Sequence, residues 1–137
     1  MECPFCCINK EIIINEGKHV SVILSNPRLM PGHLLVVPKR HVEKLSALQE
    51  DERRELFEKV IQFQEKILSK LASGCDIKQN YRPFQKQSNL KVNHLHIHLQ
   101  PRELEDELYE KCQIFETKIF SNLTKEEKEN ITNLLTQ

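Results

Sequence analysis

Three of the six histidines fall in one short stretch, His94-Leu95-His96-Ile97-His98-Leu99-Gln100-Pro101-Arg102, where they alternate with apolar residues. The alternation reads as a half-buried strand, with Leu95, Ile97 and Leu99 toward a core and His94, His96 and His98 together on the other face. Same-face side chains on a strand stand roughly 6.5–7 Å apart, so the row spans a phosphate group and its neighbours. Imidazole titrates near neutral pH, ligates metals and acts as a nucleophile, which makes three in register a candidate site. The plainer alternative is a solvated polar face. A second cluster, Cys3-Pro4-Phe5-Cys6, lets two thiolates reach one tetrahedral metal from a tight turn. Its alternatives are a pair of small core residues or a dithiol redox motif. A redox motif opens a helix after a strand, and no strand pattern precedes this one. Cys7 offers an alternative to Cys6 at a spacing less usual for zinc. His41 supplies a candidate third ligand for a cysteine pair that lacks two partners.

The chain of 137 residues balances 20 basic against 20 acidic side chains. That length fits one domain with a real core. Zero net charge excludes the electrostatic field needed for bulk nucleic-acid or anionic-membrane binding, so any phosphate recognition must be local. No apolar run is long enough to span a bilayer. The first residues carry no basic region followed by an apolar run, so no secretory signal is read there. The expected compartment is the cytoplasm, with reduced thiols.

The elements that must position these residues follow from periodicity. His19 to Leu24 alternates as a strand, Ser25 to Gly32 is a loop, and His33 to Pro38 is a short buried strand. Ser46 to about Leu71 is one long helix, with Leu56, Val60, Phe63 and Ile67 toward the core and Phe57, Ile61, Leu68 and Leu71 reinforcing them. Ser46-x-x-Gln49 and Glu50-Asp51-Glu52 are two competing start signals, and Ser73-Gly74 is the stop. Cys75 to Asn93 reads as irregular and basic, through Lys78, Arg82, Lys86 and Lys91. It is either a solvated loop or a phosphate-binding loop leading into the histidines. Beyond Arg102 the chain is acidic and helical, with Thr124-x-x-Glu127 capping a last helix that uses Ile131, Leu134 and Leu135.

The alternating histidine stretch resembles the signature of the histidine triad (HIT) family. Pro31-Gly32-His33-Leu34-Leu35-Val36-Val37-Pro38-Lys39-Arg40-His41 looks like that family's Pro-Gly-His strand and following loop, and the cysteine pair resembles its zinc-bearing members. The long helix lies between these motifs, as in the family, and the resemblance covers Cys3 to about Arg102. It implies an α+β fold with a mainly antiparallel sheet, one long helix and C-terminal helices. Residues 1–137 would form a single HIT-like domain, with a motif core over 3–102 and a helical extension over 103–137. The implied partners are a nucleotide substrate and a second copy of the chain, in a homodimer.

By that similarity the protein is a nucleotide hydrolase or nucleotidyltransferase acting at the α-phosphate of a dinucleoside polyphosphate or a nucleoside phosphoramidate. His96 would be the nucleophile, and His98 would bond phosphate or leaving-group oxygens. His33 would support the site from the neighbouring strand. Cys3, Cys6, His41 and His94 would hold a structural zinc. The chain departs from the family in two places. Asn89-Leu90-Lys91-Val92-Asn93 replaces a Gly-Gln phosphate loop, so Lys91, with Arg82 or Lys86, would substitute charged donors for neutral ones. Ser25, with Asn26 beside it, stands where an acidic or amide residue grips the ribose. Two other readings stay open: a zinc hydrolase that uses the histidine row as ligands, and a zinc-stabilised nucleotide-binding module without turnover.

Overall fold

The computed structural model describes residues 2–137. Five strands form one sheet: β1 (Ile13–Glu16), β2 (Val20–Leu24), β3 (Leu34–Pro38), β4 (Gly74–Lys78) and β5 (Ile97–Arg102). Their order is β1-β2-β3-β5-β4, and every neighbouring pair is antiparallel. The long helix α1 (Glu50–Lys70) links β3 to β4, and α2 (Glu107–Lys111) and α3 (Lys125–Leu135) follow the sheet. The chain divides into two compact units, one ending at Leu104 and one over Glu105–Gln137. Among the described residues no helix is long and apolar enough to cross a membrane.

The two faces of the sheet carry different chemistry because side chains alternate along each strand. Val20, Val22, Leu34, Val36, Ile97 and Leu99 point to one face and form the main core with Leu56, Val60, Phe63 and Ile67 of α1. Ile23, Leu35 and Val37 point to the other, where Phe5, Ile8, Ile12 and Ile13 partly cover them. The second face therefore has room for a site.

Several expectations need correction. The helix starts at Glu50, not Ser46; Leu45–Ala47 form a separate 3-10 turn. Glu52 decides the start, because its carboxylate accepts the Gln49 N–H at 2.8 Å while also pairing with Arg40. Phe57, Ile61, Leu68 and Leu71 are exposed, since a single sheet face covers only one stripe of the helix. Gly74 opens β4, an edge strand inside the segment read as irregular, and β1 was likewise unforeseen. The histidine strand begins at Ile97 rather than His94. The ladder with β3 stops at the pair of Val36 and Ile97, and ahead of it a Leu95 N–H to Val42 carbonyl bond of 2.6 Å holds the segment instead. The alternation still holds on the apolar side, with Leu95, Ile97 and Leu99 buried.

Gly32 is needed for the turn into β3. Its φ is +83°, and a Cβ there would meet Pro101 Cγ at 3.1 Å and Leu71 Cδ1 at 3.2 Å.

Candidate functional site

The histidine row does not act as a unit. His94 is 2 % exposed and joins the cysteine pair. Its Nδ1 lies 3.3 Å from Cys3 Sγ and 3.7 Å from Cys6 Sγ, and His41 Nδ1 lies 3.3 Å from Cys6 Sγ. The four donor atoms all fall within 4.8 Å of one another. Tetrahedral coordination with metal–sulfur bonds near 2.3 Å and metal–nitrogen bonds near 2.0 Å needs sulfur–nitrogen separations of about 3.5 Å, so the set fits a four-coordinate ion. His94 Nε2–H donates to the Pro38 carbonyl at 2.8 Å, which leaves Nδ1 free as a ligand. The set takes Cys6 and leaves Cys7 exposed outside it. Neither His96 nor His98 belongs to it.

His96 and His98 instead line a cavity of about 690 Å³ on the second face of the sheet. His96 Nδ1 lies 2.6 Å from the His94 carbonyl oxygen. A carbonyl can only accept, so Nδ1 carries the proton and Nε2 keeps its lone pair. Beside it, the Leu29 N–H donates to His33 Nδ1 at 3.1 Å, which obliges His33 Nε2 to carry the proton. That Nε2–H then donates to His98 Nδ1 at 2.9 Å, and His98 is left with its N–H on Nε2. One imidazole thus keeps a lone pair on Nε2, and its neighbour carries an N–H there.

Both forms require neutral rings, and the surroundings favour them. Burial pushes the His98 pKa down to about 3, reinforced by His96, His33 and Lys78. Burial, His96 and Lys78 lower His33 to about 4. His96 is also lowered, by burial first, against the hydrogen bond to the His94 carbonyl, which raises it.

Phe5, held between the two cysteines, packs edge-on against His96 with ring centroids 5.2 Å apart. It lines the cavity with Ile23 and Leu35, so the metal cluster and the cavity share a wall. Sequence reasoning did not single out these three residues for the site. The signal available was alternation: Ile23 and Leu35 must face away from Val22 and Val36, onto the face opposite α1.

Ser25, Asn26 and His33 also line the cavity. The Ser25 hydroxyl donates to the Pro27 carbonyl at 2.9 Å, so toward the cavity it offers only lone pairs. Lys91 and Arg82 are placed elsewhere, on a smaller recess beside Asn80 and Asn93. The Lys91 ammonium is spent on the Arg82 carbonyl at 2.5 Å, the Gln85 carbonyl at 3.0 Å and Asn93 Oδ1 at 2.9 Å. It braces the loop whose Ser88, Asn89 and Leu90 reach the cavity.

The family model of the HIT domain matches residues 8–105. A HIT-like protein of Methanocaldococcus jannaschii, itself uncharacterised, is 39 % identical over 106 residues, covering 73 % of this chain and 78 % of that protein. The asymmetrical bis(5′-nucleosyl)-tetraphosphatase of Schizosaccharomyces pombe is 37 % identical over 81 residues, which are 57 % of this chain and 42 % of that enzyme. A zinc-bound histidine triad family protein from Mycobacterium smegmatis superposes with a TM-score of 0.65 at 28 % identity, covering 79 % of this chain and 80 % of that one.

Proposed function

The chain belongs to the HIT domain family, and from that premise we propose that it is a nucleotide hydrolase or nucleotidyltransferase with His96 as covalent nucleophile. Its substrate is a nucleotide conjugate, a dinucleoside polyphosphate or a nucleoside phosphoramidate. His96 Nε2 attacks the α-phosphorus in line with the leaving group; a P–N bond forms as the bond to the leaving group breaks. Water or another acceptor then attacks the nucleotidyl-histidine and frees His96. The His98 Nε2–H bonds an oxygen of the phosphate or of the leaving group. His33 keeps His98 in the required tautomer, and Ser25 and Asn26 take the ribose. Lys91 and Arg82 serve by organising the loop over 80–93. The single observation that carries this reading is the bond from His96 Nδ1 to the His94 carbonyl, which leaves the Nε2 lone pair free on a residue that lines the cavity.

Cys3, Cys6, His41 and His94 would hold a zinc ion, which supplies a structural clamp and no bond to substrate. Two thiolates and two imidazoles in a tetrahedral set suit zinc, and the zinc-bound neighbour supports that choice. The free thiols fit a reducing compartment such as the cytoplasm. The exposed Phe57, Ile61 and Leu68 of α1, with Leu71 at its C-cap, suit a homodimer, which light scattering would reveal as twice the chain mass.

Intact mass spectrometry after brief incubation with an adenosine 5′-phosphoramidate or a dinucleoside polyphosphate tests the mechanism. The expected result is a nucleotidyl adduct on the wild type, absent from His96→Gly, with free nucleotide released. Tight nucleotide binding with neither adduct nor product would establish the binding module instead.

A further inference from the structure

The register of the sheet sets one row of side chains across its second face. Ile13 pairs with Ile23, Ile23 with Leu35, Leu35 with His98, and His98 with Lys78. Cross-strand partners share a face and neighbouring strands lie about 4.8 Å apart, so the row runs from apolar side chains through an imidazole to an ammonium. Ile23, Leu35 and His98 line the cavity, and Lys78 stands one strand further on, at the sheet edge.

Lys78 is free to meet a ligand. Asp76, two residues earlier on the same face of β4, is held by Arg102 at 2.6 Å. Among the described residues the Lys78 ammonium has no hydrogen-bond or ion-pair partner, in contrast to that of Lys91 with its three acceptors. Its charge nevertheless reaches the site, since it opposes protonation of both His33 and His98.

From this row we propose that Lys78 determines specificity by receiving the leaving portion of the substrate, and that it selects leaving portions with phosphate directly on the departing oxygen. The proposal rests on nucleotidyl transfer to His96. A nucleoside placed over Ile23 and Leu35, with its α-phosphate at His96 and His98, extends its far end toward β4. As the His96 Nε2 lone pair forms the P–N bond, the α-phosphorus–oxygen bond breaks and its electron pair stays on the departing phosphate. That group leaves as an anion without needing a proton, and an ammonium across the row stabilises it. An amine leaving group must instead take up a proton, and a nearby cation does nothing for it.

The test is kcat/KM of the full metal-bound chain for a dinucleoside tetraphosphate and for an adenosine 5′-phosphoramidate, in wild type, Lys78→Ala and Lys78→Arg. The ratio of the first substrate to the second should fall about tenfold in Lys78→Ala, the scale of one charge-assisted contact at a partly exposed site. It should stay within about twofold in Lys78→Arg, and high salt should lower it in the wild type. Equal losses on both substrates would overturn the proposal, because the lysine would then support the site generally. Should the wild type turn over neither compound, the transfer reading fails on its own. Binding of a methylene-bridged tetraphosphate analogue then decides Lys78: weaker binding by Lys78→Ala sustains its role, and equal affinity removes it.

Discussion

His96 and His98 sit two residues apart on one segment, yet their rings are held in opposite tautomers. The difference lies in which nitrogen each ring must use on the protein. The His94 carbonyl claims the Nδ1 proton of His96, while His33 claims the Nδ1 lone pair of His98. His96→Ala should therefore lose turnover by on the order of a thousandfold or more while keeping its metal stoichiometry and melting temperature, since His96 is outside the ligand set. Retained turnover would remove it as nucleophile. The lowered pKa values have consequences of definite sign. His33 is held at about 4 in the fold, against about 6.5 in an unfolded chain. Between those values the unfolded state binds a proton that the folded state refuses, so stability is full above pH 6.5 and declines as pH falls toward 4. At pH 5 the loss from this residue is on the order of 2 kcal/mol. Urea midpoints of wild type and His33→Gln at pH 7 and pH 5 should thus show the smaller drop in the variant. By the same logic the acid limb of kcat/KM should lie below the ordinary histidine range, and a midpoint near 6.5 would contradict the neutral triad.

At the scale of elements, the site depends on how chain segments enter and leave the sheet. The Pro31-Gly32 turn delivers His33 to the start of β3, where its carbonyl accepts the Ser25 N–H at 2.9 Å and its ring reaches His98. Gly32→Ala would place a side chain at φ +83° against Pro101 and Leu71. A loss of about 1–2 kcal/mol is expected from the left-handed backbone alone, visible as a lower urea midpoint; an unchanged midpoint would show that the turn relaxes. α1 is fixed at its other end by Glu52, a buried carboxylate that caps the helix and grips Arg40, one residue before the candidate ligand His41. Helix, β3 exit and metal cluster are thereby tied together. The helix was legible from the 4-3-4 spacing of Leu56, Val60, Phe63 and Ile67. Its start was not, because Ser46 and the acidic run compete locally, and only the pairing of Glu52 with Arg40 breaks the tie.

For the whole molecule, the candidate metal site joins residues far apart in the chain: Cys3 and Cys6, His41 after β3, and His94 before β5. Ordering the segment that bears Phe5 closes the cavity wall beside His96. Cys3→Ser, or chelation of the wild type, should lower metal content and thermal stability together; unchanged stoichiometry in Cys3→Ser would reject that ligand.

The chain taken alone determined the kinds of chemistry available. Cysteine spacing, the alternation of histidines with Leu95, Ile97 and Leu99, and the Pro-Gly-His turn are local properties, and local periodicity maps directly onto a strand face or a tight turn. Tertiary structure decided everything that depends on which segments meet. His94 has partners that His96 and His98 lack because Cys3, Cys6, His41 and the Pro38 carbonyl gather around it. The ring tautomers follow from bonds made by His94, Leu29 and His33, two of which are on another segment. Lys91, the cation nearest the triad in sequence, is consumed by its own loop. Lys78, in sequence only one of four cations in a basic stretch, stands across from His98 because β4 pairs with β5 in one register. Register between strands separated by a long loop is set by the packing of both faces at once, and no stretch of residues read singly contains it.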